Sequence, residues 1–177
     1  MAVTLKQLEA VPATFPTVAG LSAEAEALDS EPLWLRIESY IVHRWRSRAV
    51  EWTIEGAGAW TPPLTPATIS QAYFWTGTGW KADDLIPAPF GYCLDHQHTK
   101  VEATVGNTST PPGDVLEAYR RLAEYLATPD IIGIPGVSRY TINVGQVDET
   151  ISRRADHMAK VLVTSGAADL LRPYRRL

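Results

Sequence analysis

The spacing of apolar residues along the chain changes period twice. Over Trp34, Ile37, Ile41 and Trp45 it steps by three and four; Leu33 and Tyr40 widen the stripe, and Arg36, His43 and Ser47 fall off it. That is the period of one buried helix face. Ser30 is placed to cap the helix, with Glu31 and Pro32 in a first turn that tolerates both. From Val50 the period becomes two. Val50, Trp52 and Ile54 alternate with Glu51, Thr53 and Glu55, as a half-buried strand requires. Gly56-Ala57-Gly58 ends that strand, and the prolines of residues 60–66 forbid both a helix and a central strand. Ala67–Trp75 and Trp80–Ala82 flank Thr76-Gly77-Thr78-Gly79, a hairpin loop by composition. Ile86-Pro87-Ala88-Pro89 reads as an extended link. Gly91–Asp95 and Lys100–Val105 flank His96-Gln97-His98-Thr99, which predicts a second hairpin.

Helical spacing then returns. Asp114 can cap a helix whose stripe is Val115, Tyr119, Leu122 and Leu126, and which ends at Pro129. A strand is expected over Tyr140–Val144. A last helix is expected from about Thr150, with Ile151, Ala155, Met158 and Leu162 inward, stopping near Gly166. Ala167–Leu171 adds a turn or two before Pro173. At the other end, Pro12, Pro16 and Gly20 mark an irregular arm with one helical turn around Leu5–Leu8, followed by a short helix over Leu21–Leu28. The expectation is an α+β domain in which an antiparallel β region interrupts helices. Its parts are an arm and short helix over 1–30, a single domain over 31–171 with the β insertion at about 50–106, and an extended tail over 172–177.

Composition narrows what such a chain does. Hydrophobic residues make up 45% of the 177 and charged ones 20%, which suits a folded core and not wholesale disorder. No apolar run approaches the ~20 residues of a membrane span. The N-terminus lacks the apolar core of a secretory signal, so the chain reads as soluble and cytoplasmically made. The single cysteine, Cys93, excludes an internal disulfide and a multi-cysteine zinc site. A net charge of −4 speaks against general nucleic-acid binding. The charge is uneven. Residues 1–31 carry Glu9, Glu24, Glu26, Asp29 and Glu31 against Lys6, whereas residues 151–177 carry six bases against Asp156 and Asp169. That asymmetry suits head-to-tail contacts between copies, or two merely solvated surfaces.

Catalytic signatures are absent: the sequence holds no G-x-S-x-G, P-loop, H-E-x-x-H or G-x-G-x-x-G. Cys93, Asp95, His96 and His98 are metal-binding types, but strict alternation puts the histidines opposite the other two. A polar turn with one buried cysteine is the plainer reading. All six tryptophans lie between Trp34 and Trp80. Trp34, Trp45 and Trp52 belong to core stripes, while Trp60, Trp75 and Trp80 fit either a stacking platform or core and interface packing. Arg44, Arg46 and Arg48 point in different directions if helical, solvated or paired with Glu51 and Glu55.

The order of features carries a resemblance. Glu38-Ser39-Tyr40-Ile41 leads to Trp45 and Arg48, then Glu51-Trp52-Thr53-Ile54, Trp60-Thr61-Pro62-Pro63-Leu64 and Pro89-Phe90-Gly91-Tyr92. A Pro-Pro-Gly-Asp-Val helix start, Arg121–Leu126, Ser165-Gly166-Ala167 and the closing Leu170-Leu171-Arg172-Pro173-Tyr174-Arg175-Arg176 complete it. From about residue 33 onward this resembles the head–tail connector (adaptor) proteins of long-tailed phages and gene transfer agents, many of which close with Leu-Leu-x-Pro-Tyr-Arg. The resemblance implies a helical bundle of connector type carrying the β insertion between its first long helix and its C-terminal helices. It implies a non-catalytic, cofactor-free and metal-free particle protein, located at the head–tail interface after assembly in the bacterial cytoplasm. Copies form a ring, usually of twelve, beneath the portal protein. The ring extends the DNA channel without reading sequence and receives the stopper or tail-terminator protein. The implied portal contact is the tail: Leu171, Arg172, Pro173, Tyr174, Arg175, Arg176 and Leu177. Its aromatic ring and guanidiniums are interface-anchoring types. Two other classes stay open on the residues alone: a tryptophan-rich module for carbohydrate or single-stranded nucleic acid, and a small metal-dependent hydrolase using the Cys93–His98 loop.

Overall fold

Strands account for most of the architecture. The structure, a computed structural model, describes residues 1–128, 139–144, 147–152 and 160–175. Its strands are β1 (Val3–Glu9), β2 (Arg48–Glu55), β3 (Gly58–Trp60), β4 (Ala67–Trp75), β5 (Trp80–Asp83), β6 (Ile86–Ala88), β7 (Gly91–Leu94), β8 (His98–Val105), β9 (Arg139–Val144) and β10 (Val147–Ser152). The helices are α1 (Ala23–Glu26), α2 (Ser30–Ile41), α3 (Gly113–Ala127), α4 (Val161–Thr164) and α5 (Ala167–Leu171), with a 3-10 turn at Arg172–Tyr174. Only α2 and α3 are longer than two turns among the described residues. This corrects the expected helical bundle with a β insertion: the chain is mostly antiparallel sheet with few helices. Met1–Pro16 and Glu38–Pro111 form one compact unit, and Thr17–Ile37 with Pro112–Arg175 form another.

The first unit holds a five-stranded antiparallel sheet in the order β1-β2-β8-β4-β5 and a three-stranded one in the order β3-β7-β6. Alternation on β2 and β8 turns Val50, Trp52, Ile54, Val101, Ala103 and Val105 to one face, where they are buried with Trp60, Leu64 and Leu94. The β4–β5 hairpin forms as expected, with Trp75 opposite Trp80. The second hairpin does not. β7 pairs with β3 and β6, so His96 and its neighbours cross between two sheets instead of closing a turn.

The larger correction is at the N-terminus, where the expected irregular arm is strand β1. A bulge between Thr4 and Lys6 shifts its phase against β2. Thr4, Gln7 and Glu9 lie opposite Ile54, Trp52 and Val50, the buried positions of β2. These three polar side chains satisfy buried donors. Thr4 Oγ1 accepts from Trp60 Nε1 at 3.0 Å, and Gln7 Oε1 from Trp52 Nε1 at 2.8 Å. Glu9 accepts from Arg44 Nε at 2.5 Å, Arg44 Nη2 at 2.9 Å and Arg48 Nη1 at 3.1 Å. Val3, Leu5 and Leu8 are left exposed.

Arg44 and Arg48 are therefore neither helical nor solvated. Helix α2 stops at Ile41, short of the Trp45 that its stripe suggested, and Val42 turns the chain at a φ of +51°. The two arginines follow, almost fully buried. Arg48 Nη2 donates to both Glu38 oxygens at 3.0 and 2.8 Å, the Trp45 N–H donates to Glu38 Oε1 at 2.9 Å, and Arg44 Nη1 donates to the Glu38 carbonyl at 2.8 Å. Two glutamates and two arginines thus balance. Gly106 sits against this knot at a φ of +82°, where a Cβ would lie 2.2 Å from the Arg46 carbonyl oxygen.

In the second unit, α3 buries Val115, Ala118, Tyr119, Leu122 and Ala123, the stripe read from sequence. Trp34 stacks on Tyr119 with ring centroids 4.8 Å apart. Helix α1 is capped by Ser22, whose N–H and Oγ both donate to Glu124 of α3 at 2.7 Å. The residues expected to open a last helix, Thr150 and Ile151, belong instead to β10, which pairs with β9. Ala155 and Met158 lie outside the described residues.

The buried knot gives a test. Burial pushes the Glu38 carboxyl above the ordinary glutamate range, while the Trp45 N–H and Arg48 act to lower it. Arg48→Met strips away the counter-charge and should cost about 3–5 kcal/mol in denaturant titrations at neutral pH. Without Arg48 the folded-state pKa rises further. A raised carboxyl pKa favours the fold below the unfolded value, and that advantage is lost as pH rises through the folded value. The variant's deficit should therefore shrink as pH falls into the carboxylate range. A deficit that is small, or unchanged with pH, would show that the pair does not hold the fold.

Candidate functional site

The closing run is built on a left-handed turn. Gly166 has a φ of +73°, which glycine adopts without steric cost, and it separates α4 from α5. Its N–H donates to the Val163 carbonyl at 3.1 Å, and Ser165 Oγ accepts from the Ala167 N–H at 3.4 Å. The Ser165-Gly166-Ala167 triplet is thus the corner that directs α5 back along α3, with which it packs. Ala167, Ala168 and Leu171 are the buried face of α5.

Pro173 does not release an extended tail. It sits in the first turn of the 3-10 segment Arg172–Tyr174, where a proline's fixed φ fits and its missing N–H costs little. The turn closes with the Arg175 N–H donating to the Arg172 carbonyl at 3.2 Å, and only at Arg175 is the backbone extended. Tyr174 is half-buried, and its hydroxyl donates to Asp114 Oδ2 at 3.4 Å, in the first turn of α3.

The seven residues of the expected portal contact therefore separate. Leu171 is fully buried in its own unit and anchors the run there. Arg172, Pro173 and Arg175 are exposed. Arg172 meets Asp169 at 3.8 Å with both side chains more than four-fifths exposed, a loose pair that leaves the guanidinium available. Arg176 and Leu177 lie outside the described residues. The result is a short, locally braced segment with exposed basic side chains.

The other candidates are distributed differently. Cys93 is exposed, not buried as expected. His96 stacks on Phe74 at 4.0 Å, and its Nε2 lies 3.3 Å from both Asp83 and Asp95. The Asp83 carboxyl is held below its ordinary range, first by the Asp84 N–H and then by His96. Among the described residues no group of three or more His, Cys, Asp or Glu side chains has an arrangement that could hold a metal ion. Trp60 is buried and leaves any stacking platform, while Trp75 and Trp80 face each other edge-on at 5.4 Å, each 42% exposed.

No family model matches the chain, and no curated protein matches it. Solved structures of similar course include the following one. It is a chain of the "neck of native GTA particle computed with C12 symmetry", at 16% sequence identity and a TM-score of 0.48, over 88% of this chain and 81% of that one.

Sequence reasoning missed Asp114 as a partner of the closing run, because residues 60 positions apart give no local signal. Burial, followed by the Asp114 charge, raises the Tyr174 phenol above the ordinary tyrosine range. A group shifted upward keeps its contact at neutral pH and loses it as pH rises through the raised value. The 13C NMR titration of the Tyr174 ring should accordingly begin above the usual tyrosine midpoint, and Asp114→Asn should lower it. A midpoint unmoved by that substitution would remove Asp114 from the site.

Proposed function

We propose that this chain is a structural, non-catalytic component of a phage-like or gene-transfer-agent particle, the adaptor between head and tail. In this reading identical copies form a ring on the portal protein, continue the DNA channel, and receive the stopper or tail-terminator protein. The reading is supported most by the closing run. Leu170–Arg175, the most specific part of the adaptor resemblance, is presented on a braced turn with Leu171 inward and Arg172, Pro173 and Arg175 outward. Guanidiniums held on a short rigid segment suit bidentate pairing with carboxylates on a partner and lose little entropy on docking. A solvated basic terminus needs no internal anchor and no hydroxyl contact to hold its direction. The portal contact is accordingly assigned to Arg172, Pro173, Tyr174 and Arg175, with Arg176 and Leu177 continuing it.

Deletion of residues 173–177 should leave the thermal melt nearly intact, because the buried face of α5 ends at Leu171. Particles from cells carrying that truncation should have filled heads without tails, or heads that leak DNA. Normally tailed, transfer-competent or infective particles from the truncated chain would overturn the assignment.

A further inference from the structure

The exposed apolar surface is concentrated at the two ends of one sheet. Among the described residues ten large hydrophobic side chains are exposed, and nine of them belong to the β-sheet unit. Seven of these nine form two groups at the ends of the five-stranded sheet. One lies on and beside β1, represented by Val3, Leu5 and Leu8, which are 52%, 62% and 51% exposed. The other is the pair Trp75 and Trp80 on the β4–β5 hairpin, each 42% exposed, while Ile86 and Phe90 belong to β6 of the three-stranded sheet and the turn after it. β1 and β5 are the terminal strands of the order β1-β2-β8-β4-β5, so each offers one backbone edge that no described strand covers. Apolar patches beside open edges mark contact surfaces more often than solvent faces.

We propose that copies of this chain join edge to edge, β1 of one copy beside β5 of the next. The proposal rests on the ring reading above and gives that ring its lateral contact. Two observations select a second copy as the occupant. The two edges are unlike, as a heterologous contact that closes by rotation requires. Their directions also agree. Four antiparallel steps separate β1 from β5, so the two strands point the same way. A neighbour related by a modest rotation then presents its β1 parallel to β5, continuing the sheet from copy to copy. A symmetric β1-to-β1 contact would instead stop at a dimer. The bulge and Lys6 blunt β1 against indiscriminate pairing, so the join is strongest where a template holds neighbours in place.

The test uses the full chain with its exposed thiol removed by Cys93→Ser. Lys6→Cys and Ala82→Cys are introduced singly and together, both at exposed positions whose variants should keep the parent melting temperature. A short bismaleimide is applied to purified particles and to the concentrated pure chain. The double variant should give a ladder of dimers, trimers and larger species. Each single variant should stay monomeric, and the two singles mixed should give dimers only. Adding Val3→Asp to the double variant should abolish the ladder at an unchanged melting temperature. Monomers throughout, or dimers from Lys6→Cys alone, would overturn the edge contact. A chain missing from particles would sink the adaptor reading, and the ladder from pure chain would still decide the contact.

Discussion

A carboxylate without access to water must be matched in charge and filled with hydrogen bonds before anything can pack over it. Glu38 meets that condition through the Arg48 guanidinium and the Trp45 N–H, and Arg44 reaches from the Glu38 carbonyl to Glu9. The knot ties together three distant pieces of chain: the end of α2, the segment entering β2, and the end of β1. Its partners are too well buried to be exchanged for water, so α2 has one way to stop and β1 one register to take. The turn at Val42 follows from the same requirement, because only a chain reversed there returns Arg44 to the Glu38 carbonyl.

Once Glu9 is committed inward, the bulge decides the rest of β1. It brings Thr4 and Gln7 onto the same face, where they satisfy the indole N–H groups of Trp60 and Trp52. Large aromatic side chains supply much of this core, and each carries one polar atom that burial would otherwise leave unpaired. The strand answers them with polar side chains and turns Val3 and Leu8 outward. An apolar sheet edge is thus a by-product of satisfying the core, and it is available for assembly.

How much of this the sequence disclosed depends on whether an element has a single wet face. The stripe of α3 and the alternation of β2 were legible because burial on one side leaves a plain period. β1 was not, since its inward residues are polar, its outward ones apolar, and its bulge breaks the phase. The pairing of Arg44 and Arg48 with Glu9 spans 35 and 39 residues, beyond any local pattern. β7 misled because two nearby strands suggest a hairpin, whereas its partners are β3 and β6. In the closing run the residue types did not disclose that Leu171 is buried in its own unit and that Pro173 sits in a 3-10 turn. The bundle expectation failed for a related reason: it came from family likeness, and the strands of this chain outweigh its helices.

On the proposed function, the buried knot, the outward edge and the braced basic run are parts of a ring component at a head–tail junction. Quantitative mass spectrometry of purified particles, using labelled standard peptides from this chain and from the portal protein, tests that most directly. The account predicts that the chain co-purifies with filled particles in a fixed ratio, one copy per portal subunit. A chain abundant in the lysate yet absent from purified particles, or present in a ratio that varies between preparations, would contradict it.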